Sequence, residues 1–220
     1  MFSLSLADGL ESLRSVLVVG CHADDIEIGC GGTILTLTRA LPGLEVTWVV
    51  LAAASKEREL EARASADAFL QSAGTADVHV HGFRDGYLPY VGADVKDVFE
   101  GLKEVVDPQL VLTHTRDDLH QDHRLACELT WNTFRNHLVL EYEVPKVDGD
   151  LGRPNVFVPL TEAIAAEKIE LLHRHFPSQA QKHWFDEDTF RGLMRLRGME
   201  SNGPERFAEA FSARKVSIAL

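Results

Sequence analysis

Short apolar runs alternate with amphipathic stretches along the first two-thirds of the chain. The apolar runs are rich in β-branched residues and are bounded by turn-forming residues, so they predict buried strands. The predicted strands are 16–20, 45–54, 78–83 and 110–113. The stretches between them carry apolar residues at helical spacing, and they predict helices over 29–39, 56–72, 94–106 with Asp94 as N-cap, and from 124 to about 136.

Strands that alternate with helices predict an α/β fold, namely a Rossmann-like parallel sheet flanked by helices on both faces. In such folds the active site lies outside the carboxyl ends of the strands. Both polar clusters of this sequence follow a predicted strand directly, one after 16–20 and the other after 110–113. We therefore expect them to meet at one edge of the sheet.

The last third of the chain has a different pattern. Residues 148–159 are rich in turn formers and predict a long ordered loop or a short strand. Thr161 is placed to cap a helix through His175, and a second helix is predicted over 186–197. Because no segment has the composition of a linker, we predict a single domain over 1–220, with a motif-bearing core in 1–140.

Composition limits the classes of partner. A chain of 220 residues with 45% hydrophobic content can bury one substantial core. The net charge of −12 disfavours nucleic acids and anionic lipids. No apolar run is long enough to span a membrane, and residues 1–15 lack the pattern of a signal peptide. The three cysteines form no CxxC pair, so we expect no disulfide framework and a cytoplasmic location.

The first polar cluster contains His22, Asp24 and Asp25 in a strand-to-helix turn. Two adjacent carboxylates repel each other, so such a site requires a cation or a shared proton. Zinc takes imidazole and carboxylate ligands, and a catalytic zinc site keeps one position open for water. The alternative, which this cluster alone leaves equally weighted, is that Asp24 or Asp25 only caps the following helix.

The second polar cluster spans 114–123 and places three histidines and three aspartates in ten residues. These side chains could complete a metal site with His22 and Asp25. The alternative is a solvated polar loop, because Asp-rich loops are common in turns. Two such clusters at two strand ends make a coincidence much less plausible than either cluster alone.

A glycine-rich segment, Gly29-Cys30-Gly31-Gly32, follows the first cluster. It lacks both the GxGxxG pattern and the Lys-Ser/Thr of a P-loop, so it is a weak signal for nucleotide binding. We interpret these glycines as small residues that let the helix approach the turn. Cys21 and Cys30 flank the cluster, and we interpret both as small buried hydrophobic residues.

Taken together, these motifs resemble the zinc-dependent N-acetylglucosaminyl deacetylases of the LmbE-like or PIG-L type. That family carries His-Pro-Asp-Asp-Glu after its first strand and His-x-Asp-His further on. Here the corresponding segments are His22-Ala23-Asp24-Asp25-Ile26 and His120-Gln121-Asp122-His123, and the resemblance covers 16–136. Ala23 replaces the proline, and Ile26 replaces the usual glutamate, although Glu27 is adjacent.

The resemblance implies a role for each matching residue. It makes His22, Asp25 and His123 the zinc ligands. It makes Asp24 the general base, His120 the cationic partner of the oxyanion and the leaving amine, and Asp122 the group that orients His120. It also suggests that Arg58 contacts substrate, although an i,i+3 surface pair with Glu61 is equally compatible with the sequence. Asp85-Gly86 resembles a family loop near the site, or it is a common turn pair.

The implied function is hydrolysis of the N-acetyl amide of an N-acetylglucosamine-type sugar or sugar conjugate, with zinc, or alternatively another divalent metal, as cofactor. The partner is then a small N-acetylated molecule, and the resemblance also implies a homo-oligomer. Region 141–220 is divergent and is expected to set substrate specificity. The alternatives are a zinc amidohydrolase acting on a non-sugar N-acyl metabolite and a non-catalytic metal-binding module. A structural zinc site would be closed and rich in Cys and His, which argues against the module.

Overall fold

A computed structural model describes residues 13–217 as a seven-stranded sheet with helices on both faces. The strand order is β3-β2-β1-β4-β5-β7-β6. The strands are β1 (Ser15–His22), β2 (Glu45–Ala52), β3 (Thr75–Val80), β4 (Leu110–His114), β5 (Leu138–Tyr142), β6 (Val156–Leu160) and β7 (Phe207–Ala213). The helices are α1 (Asp25–Ala40), α2 (Lys56–Phe69), α3 (Gly92–Val105), α4 (Gln121–Thr133), α5 (Glu162–His175) and α6 (Glu187–Ser201).

The first five strands of this order run parallel, β7 pairs antiparallel with β5, and β6 pairs antiparallel with β7 at the edge of the sheet. The predicted α/β class with a largely parallel sheet is confirmed. Strands β5 and β7 were not predicted from the sequence. The second of these alternates phenylalanines with alanines and contains the buried Glu209, which obscures the usual pattern of a strand.

The core forms two layers because successive side chains of a strand point to opposite faces. Val16 and Val18 of β1 pack in the layer that contains α1, α2, α5 and α6. Leu17 and Val19 pack in the layer that contains α3 and α4. The central strands are therefore buried on both sides, as expected for a parallel sheet.

Several predicted boundaries shift in the structure. The third strand covers Thr75–Val80 instead of 78–83, and α3 begins at Gly92 with Val91 at the N-cap position, so Asp94 is not the cap. The fourth helix begins at Gln121, three residues before the predicted start. Within residues 13–217, no helix is both long and apolar enough to cross a membrane.

The topology explains how the two polar clusters meet. Strands β1 and β4 are parallel neighbours, with Val18 opposite Leu112 in the register. Their carboxyl ends therefore lie side by side, and His22 closes β1 while His114 closes β4. The first helix and the fourth helix begin just beyond these ends.

Candidate active site

The turn after β1 presents two buried carboxylates in different ways. Asp24 occupies the N-cap position of α1 but makes no capping hydrogen bond with its side chain. Asp25 turns back, and its Oδ2 accepts a hydrogen bond of 2.7 Å from the His22 backbone amide. The helix-capping alternative therefore does not describe this turn.

Three side-chain atoms form a nearly equilateral triangle at the strand ends. His22 Nδ1 lies 3.1 Å from Asp25 Oδ2 and 3.1 Å from His123 Nε2. The third edge, His123 Nε2 to Asp25 Oδ2, is 3.2 Å. Ligands at 2.0–2.2 Å from a tetrahedral zinc ion stand about 3.3 Å apart, so the triangle has the size of one face of such a site.

The electrostatics of the triangle also suit a cation. Burial alone would raise the pKa of Asp25, but the surrounding imidazoles, above all His123 and His22, hold it well below its ordinary value. Burial would lower the pKa of His22 and of His123, yet Asp25 and the hydrogen bonds to neighbouring carboxylates raise both. The raised pKa values show that these surroundings favour a positive charge on the two rings in the metal-free protein. A bound metal ion would supply that positive charge instead.

Each histidine of the triangle is held from behind by a carboxylate. The Nε2 atom of His22 lies 3.0 Å from Asp85 Oδ1 and 3.3 Å from Asp122 Oδ2. His123 Nδ1 lies 2.9 Å from Asp118 Oδ2, a buried oxygen. Such partners fix the tautomer and the orientation of a metal-binding imidazole.

Asp122 and His120 do not form the side-chain pair that the family resemblance implies. Asp122 Oδ2 accepts from the Gly86 amide at 2.7 Å, and its Oδ1 accepts from the Leu88 amide at 3.1 Å. These bonds tie the 85–88 loop to the start of α4, and the same carboxylate reaches His22. His120 Nδ1 instead accepts from the backbone amide of Asp122 at 3.3 Å.

The surroundings of His120 disfavour the positive charge that the resemblance implies. Burial, together with the positive charge of His123 and His22, lowers its pKa below the ordinary value. Because Nδ1 accepts a hydrogen bond, the single proton of the neutral ring lies on Nε2. The lowered pKa therefore favours a neutral ring that donates from Nε2 over the cation that the resemblance implies.

Arg58 reaches the candidate base. Its Nη2 donates to Asp24 Oδ1 at 2.6 Å, and its Nη1 donates to Glu61 Oε2 at 2.8 Å. The i,i+3 pair therefore exists, but Glu61 is buried and also accepts from the amide and hydroxyl of Ser178. Asp24 Oδ2 is buried with no hydrogen-bond partner among the described residues.

A cavity of about 580 Å³ opens above the triangle. Its outer wall carries Arg84, which stacks over the Tyr87 ring at 3.7 Å, and Lys182, which lies 5.6 Å from the Trp184 ring centroid. Neither cation has a carboxylate partner within residues 13–217, whereas Asp148 adds one exposed carboxylate to the same wall. The cavity thus combines an aromatic surface with charges that are free to meet a ligand.

The glycines after the turn allow close packing, as interpreted from the sequence. A Cβ on Gly29 would lie 2.2 Å from the Tyr142 ring, and one on Gly31 would lie 2.6 Å from Phe69. Tyr142 in turn donates its hydroxyl to Val19 O at 2.7 Å, beneath the site. A larger residue at 29 would push α1 away from the sheet, and one at 31 would push it away from α2.

Several residues of this site were not singled out from the sequence. His114 Nε2 lies 3.3 Å from Asp25 Oδ2 and accepts from the Cys21 amide at 3.0 Å. Asp118 was part of the second cluster but received no role, and Asp85 was left between two interpretations. The sequence indicates Asp118 and Asp85 only as carboxylates that could support the candidate histidines, because a metal-binding histidine usually has a carboxylate partner. Cys21 contributes a sulfur near Asp25, His114 and His123, but burial raises the pKa of its thiol well above the ordinary value.

Comparison with known proteins bears on this geometry. A sequence model of the GlcNAc-PI de-N-acetylase (PIG-L) family matches residues 17–134, more than half of the chain and including both motifs. No curated protein gave a significant match.

Three solved structures are similar. N,N'-diacetylchitobiose deacetylase from Pyrococcus horikoshii is 21% identical with a TM-score of 0.68, over 95% of this chain and 88% of that one. The conserved protein TT1542 from Thermus thermophilus is 20% identical with a TM-score of 0.74, over 94% and 97%. GalB, the 4-carboxy-2-hydroxymuconate hydratase from Pseudomonas putida, is 18% identical with a TM-score of 0.69, over 94% and 100%. At these identities the similarity establishes the fold, and one fold here carries two different reactions.

Proposed function

The chain belongs to the GlcNAc-PI de-N-acetylase (PIG-L) family, and on this premise we propose that it is a zinc-dependent deacetylase. It hydrolyses the N-acetyl amide of an N-acetylglucosamine-type sugar or sugar conjugate and releases acetate. The observation that carries the proposal is the triangle of His22, Asp25 and His123, because its edges of 3.1–3.2 Å match one face of a tetrahedral zinc site.

Zinc, when bound by these three residues, supplies the Lewis acidity that activates water and polarises an amide carbonyl. Imidazole and carboxylate donors suit zinc, and the carboxylates behind His22 and His123 supply the outer support that such ligands need. The buried Asp24 Oδ2, which has no partner among the described residues, is a further polar atom at this end of the sheet.

Asp24 is the general base in this proposal. Burial raises its pKa, and although Arg58 opposes this effect, the pKa stays above the ordinary value. A base with a raised pKa accepts the proton of the attacking water more readily and can return that proton to the leaving nitrogen. Arg58 fixes one oxygen of Asp24, which leaves Oδ2 as the oxygen that exchanges the proton.

His120 stabilises the negative charge that develops on the carbonyl oxygen. Its ring lies 4.8 Å from that of His22 and 4.6 Å from that of His123, measured between centroids. With Nδ1 occupied by the Asp122 amide, Nε2–H is the donor that remains for substrate. A neutral imidazole can act in this way, so the role does not require the cation that the resemblance implies. Asp122 then supports His22 and the 85–88 loop.

The substrate class follows from the cavity. Its volume of about 580 Å³ lies within the usual range for small-molecule sites. Trp184 offers an aromatic surface of the kind that packs against a sugar ring, and Arg84 and Lys182 can bind polar or acidic substituents. Arg58 remains the proposed substrate contact on the inner wall, beside the scissile amide. These features favour a sugar that carries a further group.

The test is acetate release from zinc-loaded protein with a panel of N-acetylglucosamine, N,N'-diacetylchitobiose, N-acetylglucosamine 1-phosphate and N-acetylated amino acids. We expect equal amounts of acetate and free amine from one or more of the sugars. Acetate release from the amino acids alone would support the non-sugar amidohydrolase. Zinc binding without any acetate release would support the non-catalytic module, or an addition of water to a double bond as named for the hydratase of the same fold.

A further inference from the structure

The first helix is interrupted just after the metal turn. Cys30 has φ −143° and ψ 15°, which are not helical values, so α1 consists of a short first segment and a longer second one. In a continuous helix the Gly32 amide would donate to the Ile28 carbonyl, four residues earlier. Here the Gly32 amide donates to Glu209 Oε1 at 2.8 Å, and the Ile28 carbonyl accepts from Lys168 Nζ at 2.6 Å.

An ion pair joins these two bonds. Lys168 Nζ lies 2.6 Å from Glu209 Oε1, and Glu209 Oε2 accepts from the Thr33 amide at 2.6 Å. The pair is therefore inserted into the helix at the position of the missing backbone bond. Side chains inserted into the ladder of backbone bonds are a recognised cause of helix kinks.

The charges of the pair match the two helix ends that it contacts. The carboxylate of Glu209 caps the free amides that open the second segment, and the ammonium of Lys168 caps the carbonyl end of the first. Both side chains are nearly fully buried, at 2% and 3% exposed. A buried ion pair is costly unless its remaining hydrogen bonds are made, and here the helix backbone makes them.

The glycine at 32 admits the carboxylate. A Cβ at this position would lie 3.1 Å from Glu209 Oε1 and 2.6 Å from Leu160 Cδ1. The approach of Glu209 to the backbone therefore depends on the absence of a side chain. Lys168 comes from α5 and Glu209 from β7, so both arise in region 141–220, outside the part of the chain that carries the motifs.

We propose that Lys168 and Glu209 are positioning residues that set the metal affinity of the site, an inference that rests on the proposed function. They hold the first segment of α1, which begins with Asp25, at the angle at which its carboxylate meets His22 and His123. Without the pair, that segment could rejoin the second as a straight helix and carry the Asp25 carboxylate out of the triangle. Region 141–220 thus acts on the metal site as well as on the cavity.

A structural role without positioning makes a different prediction. In that case loss of the pair lowers the stability of the fold, while the folded protein binds zinc as tightly as wild type. Zinc affinity of the folded protein is therefore the measurement that separates the two roles.

The experiment compares Glu209→Gln and Lys168→Met with Glu143→Gln, using zinc affinity measured by chelator competition and stability measured by urea unfolding of the metal-free protein. Glu143 forms the buried pair with Arg197 at 2.7 Å and makes no hydrogen bond with α1, so it is the matched control. We expect zinc Kd to rise roughly 10–100-fold in the first two variants, the usual scale for outer partners of metal ligands. Glu143→Gln should lose stability but keep the wild-type Kd.

Wild-type zinc affinity in folded Glu209→Gln and Lys168→Met would overturn the inference. If either variant fails to fold, Glu209→Asp replaces it, because the shorter side chain keeps the charge but reaches the two amides less well. An unchanged zinc Kd in Glu209→Asp would equally overturn the inference. Since the readout is zinc affinity, a chain that binds zinc but releases no acetate would refute the proposed function alone.

Discussion

Asp118→Asn removes one negative charge behind the proposed zinc ligand His123 while it keeps the shape of the side chain. Asp118 is buried, and its Oδ2 lies 2.9 Å from His123 Nδ1. Its Oδ1 accepts from the His120 amide at 2.8 Å and lies 3.0 Å from Lys146 Nζ. Burial would raise the pKa of Asp118, but the hydrogen bond and charge of His123 hold it far below the ordinary value, so the carboxylate is ionised at neutral pH.

The size of the effect follows from the bond that changes. A hydrogen bond to a charged group contributes about 1.5–3 kcal/mol, and one between neutral groups contributes about 0.5–1.5 kcal/mol. The difference of roughly 1–1.5 kcal/mol corresponds to about a tenfold change in an equilibrium constant. Zinc binding should therefore weaken about tenfold, within the range of about 10–100-fold typical of such partners.

The assay is chelator competition for zinc at pH 7.5, with circular dichroism as a check on folding. Asp150→Asn is the matched control, because Asp150 also pairs with Lys146, at 2.6 Å, and accepts from the Leu119 amide, but makes no contact with His123. We expect the control to keep the wild-type zinc affinity. Equal losses in both variants would show that the effect comes from Lys146, and an unchanged affinity in Asp118→Asn would refute the orientation of His123 by this carboxylate.

Three further predictions test the site from other sides. His120→Ala should retain zinc and lose roughly 10²–10⁴-fold in kcat, and loss of zinc would contradict its role as a donor to substrate. Asp122→Asn should weaken zinc binding, because Asp122 supports His22 and the 85–88 loop. If the variant keeps full zinc affinity but loses activity, the role of Asp122 is instead to orient His120. Because the raised pKa values of His22 and His123 stabilise the metal-free fold below about pH 6.5, that stability should fall as pH rises above 6.5, while zinc affinity rises over the same range. A metal-free protein that becomes more stable over this range in urea unfolding would contradict the assignment.

The meeting of the two motifs could be predicted from the sequence because it depends on local patterns. Apolar runs mark β1 and β4, and the polar clusters follow them directly. Parallel strands place their carboxyl ends at one edge of the sheet, so the pattern alone brings His22 and His123 to the same region. The family resemblance then supplied individual roles.

What could not be predicted depends on contacts between distant parts of the chain. Asp122 is close to His120 in the sequence, yet its carboxylate accepts a hydrogen bond from the Gly86 amide. Only the path of the 85–88 loop determines which partner this carboxylate takes. Lys168 and Glu209 form a buried ion pair at the interruption of α1, although both residues are of types that usually face water. No periodic pattern of a sequence predicts that a buried charged side chain will form its hydrogen bonds with the backbone of another helix.

The most direct test of the central claim compares zinc-loaded wild type with Asp24→Asn. The acetate and free amine that each protein releases are measured on the N-acetylated sugar that wild type hydrolyses fastest, and the zinc content of each protein is measured as well. Asn keeps the shape of Asp24 but cannot accept the proton at neutral pH. We predict one zinc per chain in both proteins, with equimolar acetate and amine from wild type and almost none from the variant. We also predict that Asp25→Asn loses zinc. Loss of zinc from Asp24→Asn with retention in Asp25→Asn would exchange the two aspartates, and undiminished acetate release by Asp24→Asn would contradict the mechanism.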